Sequence, residues 1–171
     1  MDADAMDAME GLMHPRRYGG PMNQEVRFAE VLLVEDDPDD IEFTRLAFRD
    51  SRILNELHVV QDGEDAMRFL RREPPHAGAP RPDLIILDLG LPRMDGKEVL
   101  MEVKKDQELR RIPVVVLTSS RAQEDVVRSY DLGVNSYIQK PVTLDGIVSV
   151  IRDIEHYWLG VVVLPNRADT Q

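Results

Sequence analysis

Short apolar runs alternate with helix-like segments along most of this 171-residue chain, and this alternation limits the possible folds more than any other feature. The five runs are AEVLLVE, LHVVQDG, DLIILDL, IPVVVLTSS and VNSYIQK. Runs of this length and apolarity are typical of strands that are buried on both faces of a sheet. Strands that alternate with helices predict an α/β fold, in which helices cover both faces of a parallel sheet.

Five helical segments follow the five apolar runs. The first is predicted to begin at Pro38, and Asp36 and Asp37 just before it are candidate caps. The other four are predicted at residues 64–72, 95–105, 121–132 and 143–157. A doubly wound sheet with strand order 2-1-3-4-5 is one standard arrangement of these elements, although the alternation alone does not fix the order. In such a sheet the ligand crevice lies at the carboxyl ends of the strands.

The charge balance and the cysteine content exclude several classes of function. The chain has 32 acidic and 21 basic residues and a net charge of −11, which argues against binding to nucleic acid, since that needs a basic face, and equally disfavours binding to an anionic membrane. It has no cysteine, which excludes disulfides, thiolate metal sites and thiol nucleophiles. Its apolar runs are far shorter than the roughly 20 residues of a membrane span. These features are compatible with the cytoplasm, where we expect the protein to act.

Composition divides the chain into three parts. Residues 1–27 contain glycine, proline and charge without hydrophobic periodicity, which predicts a flexible N-terminal arm. Residues 28–157 contain all the predicted strands and helices and are expected to form the domain. Residues 158–171 follow as a C-terminal extension.

The extension begins with the apolar segment WLGVVVLP, which a monomer of this fold has no obvious place to bury. One interpretation is that the segment packs back on its own domain. The other, which we favour, is a two-fold interface that also uses the fourth and fifth helices and the fifth strand, because apolar patches tend to mark interaction surfaces and symmetric dimers are common. The predicted homodimer residues are Tyr157, Trp158, Leu159, Val161, Val162 and Val163.

Chemically distinctive residues follow four of the predicted strands. The first strand ends in Glu35-Asp36-Asp37, the third in Asp88, the fourth in Thr118-Ser119 and the fifth in Lys140-Pro141. Because the carboxyl ends of parallel strands lie along one edge of a sheet, these side chains are expected to converge. Each feature alone is more often a helix cap, a turn or a loop, but the four together, in this order and at strand spacing, indicate one site.

The residue types at this edge suit phosphoryl transfer. Glu35, Asp36 and Asp88 would repel one another unless a cation neutralised them, and Mg²⁺ prefers such oxygen ligands. The Lys140 ammonium would pair with an anionic phosphoryl oxygen, and the Thr118 hydroxyl would donate to another. Asp88 is then a carboxylate nucleophile beside a metal and a lysine, which are the parts that in-line phosphoryl transfer requires.

The motifs around these residues resemble the receiver domains of bacterial two-component response regulators. VLLVEDDPDD is similar to the family's first strand and acidic pair, LIILDLGLPRMDG to its phosphoacceptor segment, VVVLTSS to its switch strand and YIQKP to its lysine segment. The resemblance covers residues 30–155 and implies a flavodoxin-like fold. It also implies a regulator rather than an enzyme: the chain would accept a phosphoryl group from a sensor histidine kinase, lose it by autodephosphorylation and signal through protein contacts.

The resemblance also implies roles for individual residues. Asp88 would be the phosphoacceptor, Lys140 the phosphate-pairing lysine and Thr118 the switch hydroxyl. Tyr137 would turn inward on activation, although it could equally be an aromatic residue that packs on a helix. The Mg²⁺ ligands would be Glu35, Asp36, Asp88 and the backbone carbonyl of Gly90. The Lys140–Pro141 peptide bond is typically cis in this family and is expected to be cis here.

A narrower resemblance concerns the partner. The proline-rich loop before Asp83, the stretch LGLPRMDGKEVL and the C-terminal tail are similar to single-domain regulators that pair with phytochrome histidine kinases.

Three alternatives to a signalling regulator remain. The chain could be a phosphate sink for the kinase. It could be an Mg²⁺-dependent phosphohydrolase, but such enzymes generally need a second carboxylate where Gly90 stands. A scaffold that never takes phosphate would lack the acceptor or the lysine, and Asp88 and Lys140 are both present.

Overall fold

Parallel strands form a five-stranded sheet in the computed structural model, which describes residues 27–165. The strands are β1 (Ala29–Val34), β2 (Asn55–Val60), β3 (Leu84–Leu87), β4 (Val114–Thr118) and β5 (Ser136–Gln139). Their order is β2-β1-β3-β4-β5, so the predicted flavodoxin-like order 2-1-3-4-5 is confirmed. The chain reverses its direction of travel across the sheet at β1 and β3, and this places the crevice at their carboxyl ends.

The helices that connect these strands are α1 (Pro38–Arg49), α2 (Gly63–Arg71), α3 (Gly96–Lys105), α4 (Gln123–Asp131) and α5 (Leu144–Glu155). A short 3-10 turn, Leu109–Arg111, precedes β4, and a π-helical turn, His156–Val161, continues α5. The predicted helix boundaries are correct to within about two residues, the accuracy that fraying helix ends allow. None of the described helices is long and apolar enough to cross a membrane.

Each face of the sheet has its own apolar core, and the residues of β1 show why the strands read as continuous apolar runs. Val31 and Leu33 pack in a cluster with residues of α1 and α5, whereas Leu32 and Val34 pack in a second cluster with residues of α2 and α3. All four side chains are at most 2% exposed. Because helices cover both faces, the strand has no solvent-facing positions at which polar residues would be tolerated.

The start of α1 follows from local capping chemistry. The Asp37 carboxylate accepts hydrogen bonds from the backbone N–H groups of Asp39 and Asp40, and Pro38 occupies the first turn, where its missing N–H costs nothing. Of the two candidate caps, Asp36 and Asp37, it is therefore Asp37 that caps the helix. Asp36 is left outside the helix, with its exposed side chain at the carboxyl edge of β1.

The prediction of a cis bond between Lys140 and Pro141 is wrong, because this bond is trans. Within residues 27–165 the cis peptide bond is Pro74–Pro75. The trans form of an X-Pro bond is intrinsically favoured by about 0.5–1 kcal/mol, and only a tight turn would need the other isomer. The chain from Lys140 to Thr143 is a bend without a hydrogen-bonded turn.

The residues after α5 divide between the domain core and the surface. Trp158 and Leu159 pack against the core cluster formed with α1 and α5, as the packing-back interpretation expects for these two residues. In contrast, Tyr157, Val161 and Val163 are 54%, 59% and 95% exposed.

The two ends of the chain need separate mention. The N-terminal arm predicted at residues 1–27 lies outside the described residues except for Arg27, whose guanidinium pairs with the buried Asp83 carboxylate. The boundary predicted between residues 157 and 158 falls inside the π-helical turn His156–Val161. The last six residues of the predicted extension, 166–171, also lie outside the described part of the chain.

Candidate functional site

Three charged side chains from separate strands meet at the carboxyl edge of the sheet. Glu35 follows β1, Asp88 follows β3 and Lys140 follows β5. Each of these side chains is at most 10% exposed. Thr118, the last residue of β4, is buried beside them at 2% exposure. The convergence that the sequence predicted is therefore present in the geometry.

The Lys140 ammonium is surrounded by carboxylates. Its Nζ lies 2.6 Å from Glu35 Oε2, 2.7 Å from Asp40 Oδ2 and 3.2 Å from Asp88 Oδ2. An ammonium has three N–H donors, so the three carboxylates use its full capacity. Burial alone would lower the pKa of Lys140, but the hydrogen bonds to Asp40 and Glu35 raise the pKa above its ordinary value. Lys140 is therefore a fixed positive charge at neutral pH.

Asp88 is held in its ionised form. Burial alone would raise its pKa, but hydrogen bonds from the Thr118 hydroxyl and the Lys140 ammonium bring the pKa below its ordinary value. The Gly90 N–H also donates to Asp88 Oδ1 at 3.3 Å. An ionised carboxylate with its lone pairs oriented by fixed donors has the charge state that a nucleophile needs.

Glu35 has the opposite tendency. Burial raises its pKa to about 7; a hydrogen bond from Lys140 opposes this shift, and the negative charge of Asp88 adds to it. The two buried carboxylates therefore differ in proton affinity because Asp88 has the Thr118 hydroxyl in addition to Lys140.

The raised pKa of Glu35 predicts a pH-dependent stability. Between its ordinary pKa of 4.5 and about 7, the folded chain binds this proton more tightly than the unfolded chain does, so the contribution of Glu35 to stability is lost as the pH rises. In a buffer that contains a metal chelator, we expect the unfolding free energy of the wild type to fall between about pH 5 and pH 8. The fall is expected to exceed that of Glu35→Gln by at least about 1 kcal/mol. Urea unfolding at stepped pH measures this difference, and parallel curves for the two proteins would contradict it.

Three carboxylates at this edge have the chemistry of a site for a hard divalent cation. Glu35, Asp36 and Asp88 each offer an oxygen, and these oxygens lie within 4.8 Å of one another. Two of the carboxylates are buried and one is exposed at the mouth, so a cation could enter from solvent and remain partly hydrated. An all-oxygen donor set fits Mg²⁺. The ligand role predicted for the Gly90 carbonyl stays a prediction.

The site opens into a cleft of about 610 Å³ between the loops that follow β1, β4 and β5. Besides the acidic residues and Lys140, the cleft is lined by Ser119, which the sequence placed at the end of the fourth strand. Arg121 and Val142 also line it, and the sequence did not single out these two as site residues. Val142 is 91% exposed. An open cleft with an apolar and a basic residue at its rim can admit a side chain from another protein.

The loop between β4 and α4 is fastened on two sides. The Tyr137 hydroxyl donates to the backbone carbonyl of Ser120 at 3.2 Å, and its half-buried ring packs on the core formed with α2 and α3. The Ser120 hydroxyl donates to Asp125, whose other oxygen accepts from the Lys97 ammonium at 2.9 Å. Tyr137 therefore packs on its own domain and also contacts the loop that follows Thr118.

Asp40 is the partner of Lys140 that sequence reasoning missed. Asp40 is the last residue of the segment VLLVEDDPDD, but the resemblance implied roles for Glu35 and Asp36 and none for Asp40. A usable signal was present, because a helix that begins at Pro38 places Asp40 in its first turn, beside the carboxyl edge of β1. What the sequence could not give is the distance to Lys140, which lies 100 residues later.

Comparisons with known proteins agree with this geometry. A family model described as the response regulator receiver domain matches residues 31–152. Response regulator Rcp1 of Synechocystis sp. is 44% identical over 135 residues, which cover 79% of this chain and 92% of that protein. Two solved structures are also similar. The phosphorylated cyanobacterial phytochrome response regulator RcpA has a TM-score of 0.80 and 45% identity, covering 82% of this chain and all of that one. The Mn²⁺-bound form of Rcp1 has a TM-score of 0.79 and 43% identity, covering 81% of this chain and 99% of that one.

Proposed function

The chain belongs to the response regulator receiver domain family, and on that premise we propose that it accepts a phosphoryl group on Asp88 from a sensor histidine kinase. The observation that carries this proposal is the ionised, buried Asp88 carboxylate, which contacts the Lys140 ammonium and the Thr118 hydroxyl. Glu35 and Asp36 beside it, with the Gly90 carbonyl, would complete an Mg²⁺ site.

In the proposed reaction, an Asp88 oxygen attacks the phosphorus of a phosphohistidine. The new O–P bond forms as the P–N bond breaks, and the electron pair leaves with the imidazole nitrogen, which then takes up a proton. Lys140 and Thr118 would donate hydrogen bonds to the phosphoryl oxygens, so catalysis would consist of positioning and charge stabilisation. Bound Mg²⁺ would supply further positive charge against the carboxylates and the phosphoryl group.

The partner that we propose is a phytochrome histidine kinase in the cytoplasm. Support comes from relatives whose names connect them to phytochrome signalling, among them RcpA and two bacteriophytochrome response regulators at 42% and 41% identity. The phosphorylated chain would act through protein contacts of the loop after β4, where Thr118 and Tyr137 are the proposed switch residues. A role as a phosphate sink uses the same reaction without that output.

The proposed function is tested by mixing the chain with a phosphorylated phytochrome histidine kinase, with Mg²⁺ or with a chelator. We expect stoichiometric transfer of the phosphoryl group from the kinase to the chain in Mg²⁺ and no transfer in the chelator. Sustained release of phosphate from a phosphomonoester, without transfer from the kinase, would favour the phosphohydrolase alternative. Failure of both reactions would contradict a phosphoacceptor role.

We also propose that the chain forms a homodimer through its C-terminal segment. The exposed apolar side chains of Tyr157, Val161 and Val163 support this proposal, because burying them at an interface would remove apolar surface from water. Val163→Asp is expected to convert dimers to monomers, since a buried, unpaired carboxylate would be costly at an interface. Val163 is 95% exposed in the single chain, so the change should not disturb the fold.

Sedimentation velocity over a range of concentrations measures this change. Val163→Ala is the matched control, because it keeps an apolar side chain and is expected to remain dimeric. A wild type that sediments as a monomer at all concentrations would rule out the dimer.

A further inference from the structure

Asp40 is the third carboxylate on Lys140, and the proposed reaction gives it no task. Its Oδ2 lies 2.7 Å from Lys140 Nζ, closer than the 3.2 Å contact between Lys140 and Asp88. The Asp40 side chain is 19% exposed, and it approaches Lys140 from α1 rather than from a strand end. An ion pair this close and this little exposed is screened less by solvent and salt than a surface pair.

Asp40 is distinct from the carboxylates that can share a cation. The oxygens that lie within 4.8 Å of one another belong to Glu35, Asp36 and Asp88, and Asp40 is not a member of that group. Asp40 is therefore a partner of the lysine and not a candidate ligand of the cation.

A phosphoryl oxygen on Asp88 can reach Lys140 only if one of the three carboxylates releases an N–H donor. Glu35 and Asp40 make the two short contacts, at 2.6 and 2.7 Å. The Glu35 carboxylate has a second use at the candidate cation site, whereas Asp40 has Lys140 as its side-chain partner in the described residues. The Asp40 charge also repels an incoming phosphoryl dianion.

We propose that Asp40 is a positioning residue that competes with the phosphoryl oxygens for Lys140 and thereby lowers the affinity of the site for the phosphoryl group. This inference rests on the proposed function. It assigns the setting of phosphoryl affinity to a residue for which the family resemblance implied no role.

Asp39 provides a matched control on the same turn of α1. The backbone N–H groups of Asp39 and Asp40 both donate to the Asp37 carboxylate, and both side chains place a negative charge near the helix N-terminus. The Asp39 side chain is exposed, whereas that of Asp40 contacts Lys140. Replacing either residue by Asn therefore makes the same change to the helix and the net charge, and only one of the two changes touches Lys140.

The test is a calorimetric titration of each protein with beryllofluoride, a phosphoryl analogue, in saturating Mg²⁺. Asp40→Asn is expected to bind the analogue about threefold to tenfold more tightly than the wild type, and Asp39→Asn to stay within about twofold. Asp40→Glu, which restores the charge, is expected to return towards the wild-type affinity. Titration with Mg²⁺ alone is expected to give the same affinity for Asp40→Asn as for Asp39→Asn.

Three results would overturn the role of Asp40: an Asp40→Asn affinity equal to that of Asp39→Asn, an affinity weaker than the wild type, or no recovery in Asp40→Glu. A different result would overturn the proposed function itself, and this inference with it. That result is a wild type that binds Mg²⁺ but no beryllofluoride. The two kinds of failure are therefore distinguishable within one set of titrations.

Discussion

Asp88→Asn is expected to abolish phosphoryl acceptance, whether the donor is a phosphorylated kinase or a small acyl phosphate. An amide offers no anionic oxygen to attack phosphorus, while its size and its contacts with Lys140 and Thr118 are nearly unchanged, so the loss should be one of chemistry and not of folding. Intact-mass spectrometry after incubation with donor and Mg²⁺ measures the phosphorylated fraction, which should be large for the wild type and undetectable for the variant.

Asp83→Asn is the control for this loss. Asp83 is a buried aspartate that directly precedes β3, at the opposite end of the same strand from Asp88, and its carboxylate accepts from the Glu30 N–H at 2.8 Å. An asparagine can keep that hydrogen bond but loses the charge that pairs with Arg27. The site at the other end of the strand is untouched, so phosphoryl acceptance should persist. If the phosphorylated fraction of Asp88→Asn equals that of the wild type, another residue is the acceptor.

Gly96→Ala is expected to cause the largest loss of stability among simple substitutions near the site. A Cβ atom at this position would lie 2.2 Å from the backbone oxygen of Asp88 and 2.6 Å from the Cα of Leu89. Both are backbone atoms that cannot rotate away, and the Gly96 N–H bonds the Leu89 carbonyl at 3.0 Å. We expect a loss of about 3 kcal/mol or more in the unfolding free energy, measured by urea denaturation.

The close approach at Gly96 serves the site as well as the fold, because it brings α3 against the backbone of Asp88 itself. Gly78→Ala is the control, since no atom lies within 4 Å of a Cβ built there. Its effect is expected to stay within about 0.5 kcal/mol. Equal effects of the two substitutions would show that the contact between α3 and the Asp88 loop is not tight.

The strands and the main site residues were predictable because they depend on periodicity and topology. Buried parallel strands must be apolar on both sides, which marks β1, β3 and β4 in the sequence without any alignment. Once the order 2-1-3-4-5 is adopted, residues that directly follow any strand of the parallel sheet must share one edge. The placement of Glu35, Asp88 and Lys140 therefore follows from counting along the chain.

What could not be predicted depends on side-chain reach and on local backbone choices. Asp40 reaches Lys140 from a helix, where no strand-end rule applies. The isomer of the Lys140–Pro141 bond was taken from the resemblance, and the bend between β5 and α5 in this chain does not require the cis form. Likewise, the apolar tail gave no indication that Trp158 and Leu159 pack inward while Val163 stays exposed, because its composition is apolar throughout.

The central claim is that carboxylates, a hydroxyl and an ammonium from separate strands form one pocket for a phosphoryl group on Asp88. A crystal structure of the chain with Mg²⁺ and beryllofluoride tests it most directly. We predict beryllium bonded to an Asp88 oxygen, fluorines within hydrogen-bond distance of Lys140 Nζ and Thr118 Oγ1, and the cation between Asp36 and Asp88. The ligand atoms of Glu30, Glu56 and His58, on β1 and β2, also lie within 4.8 Å of one another. Beryllofluoride bound away from Asp88, or the cation bound at these three residues instead, would contradict the account.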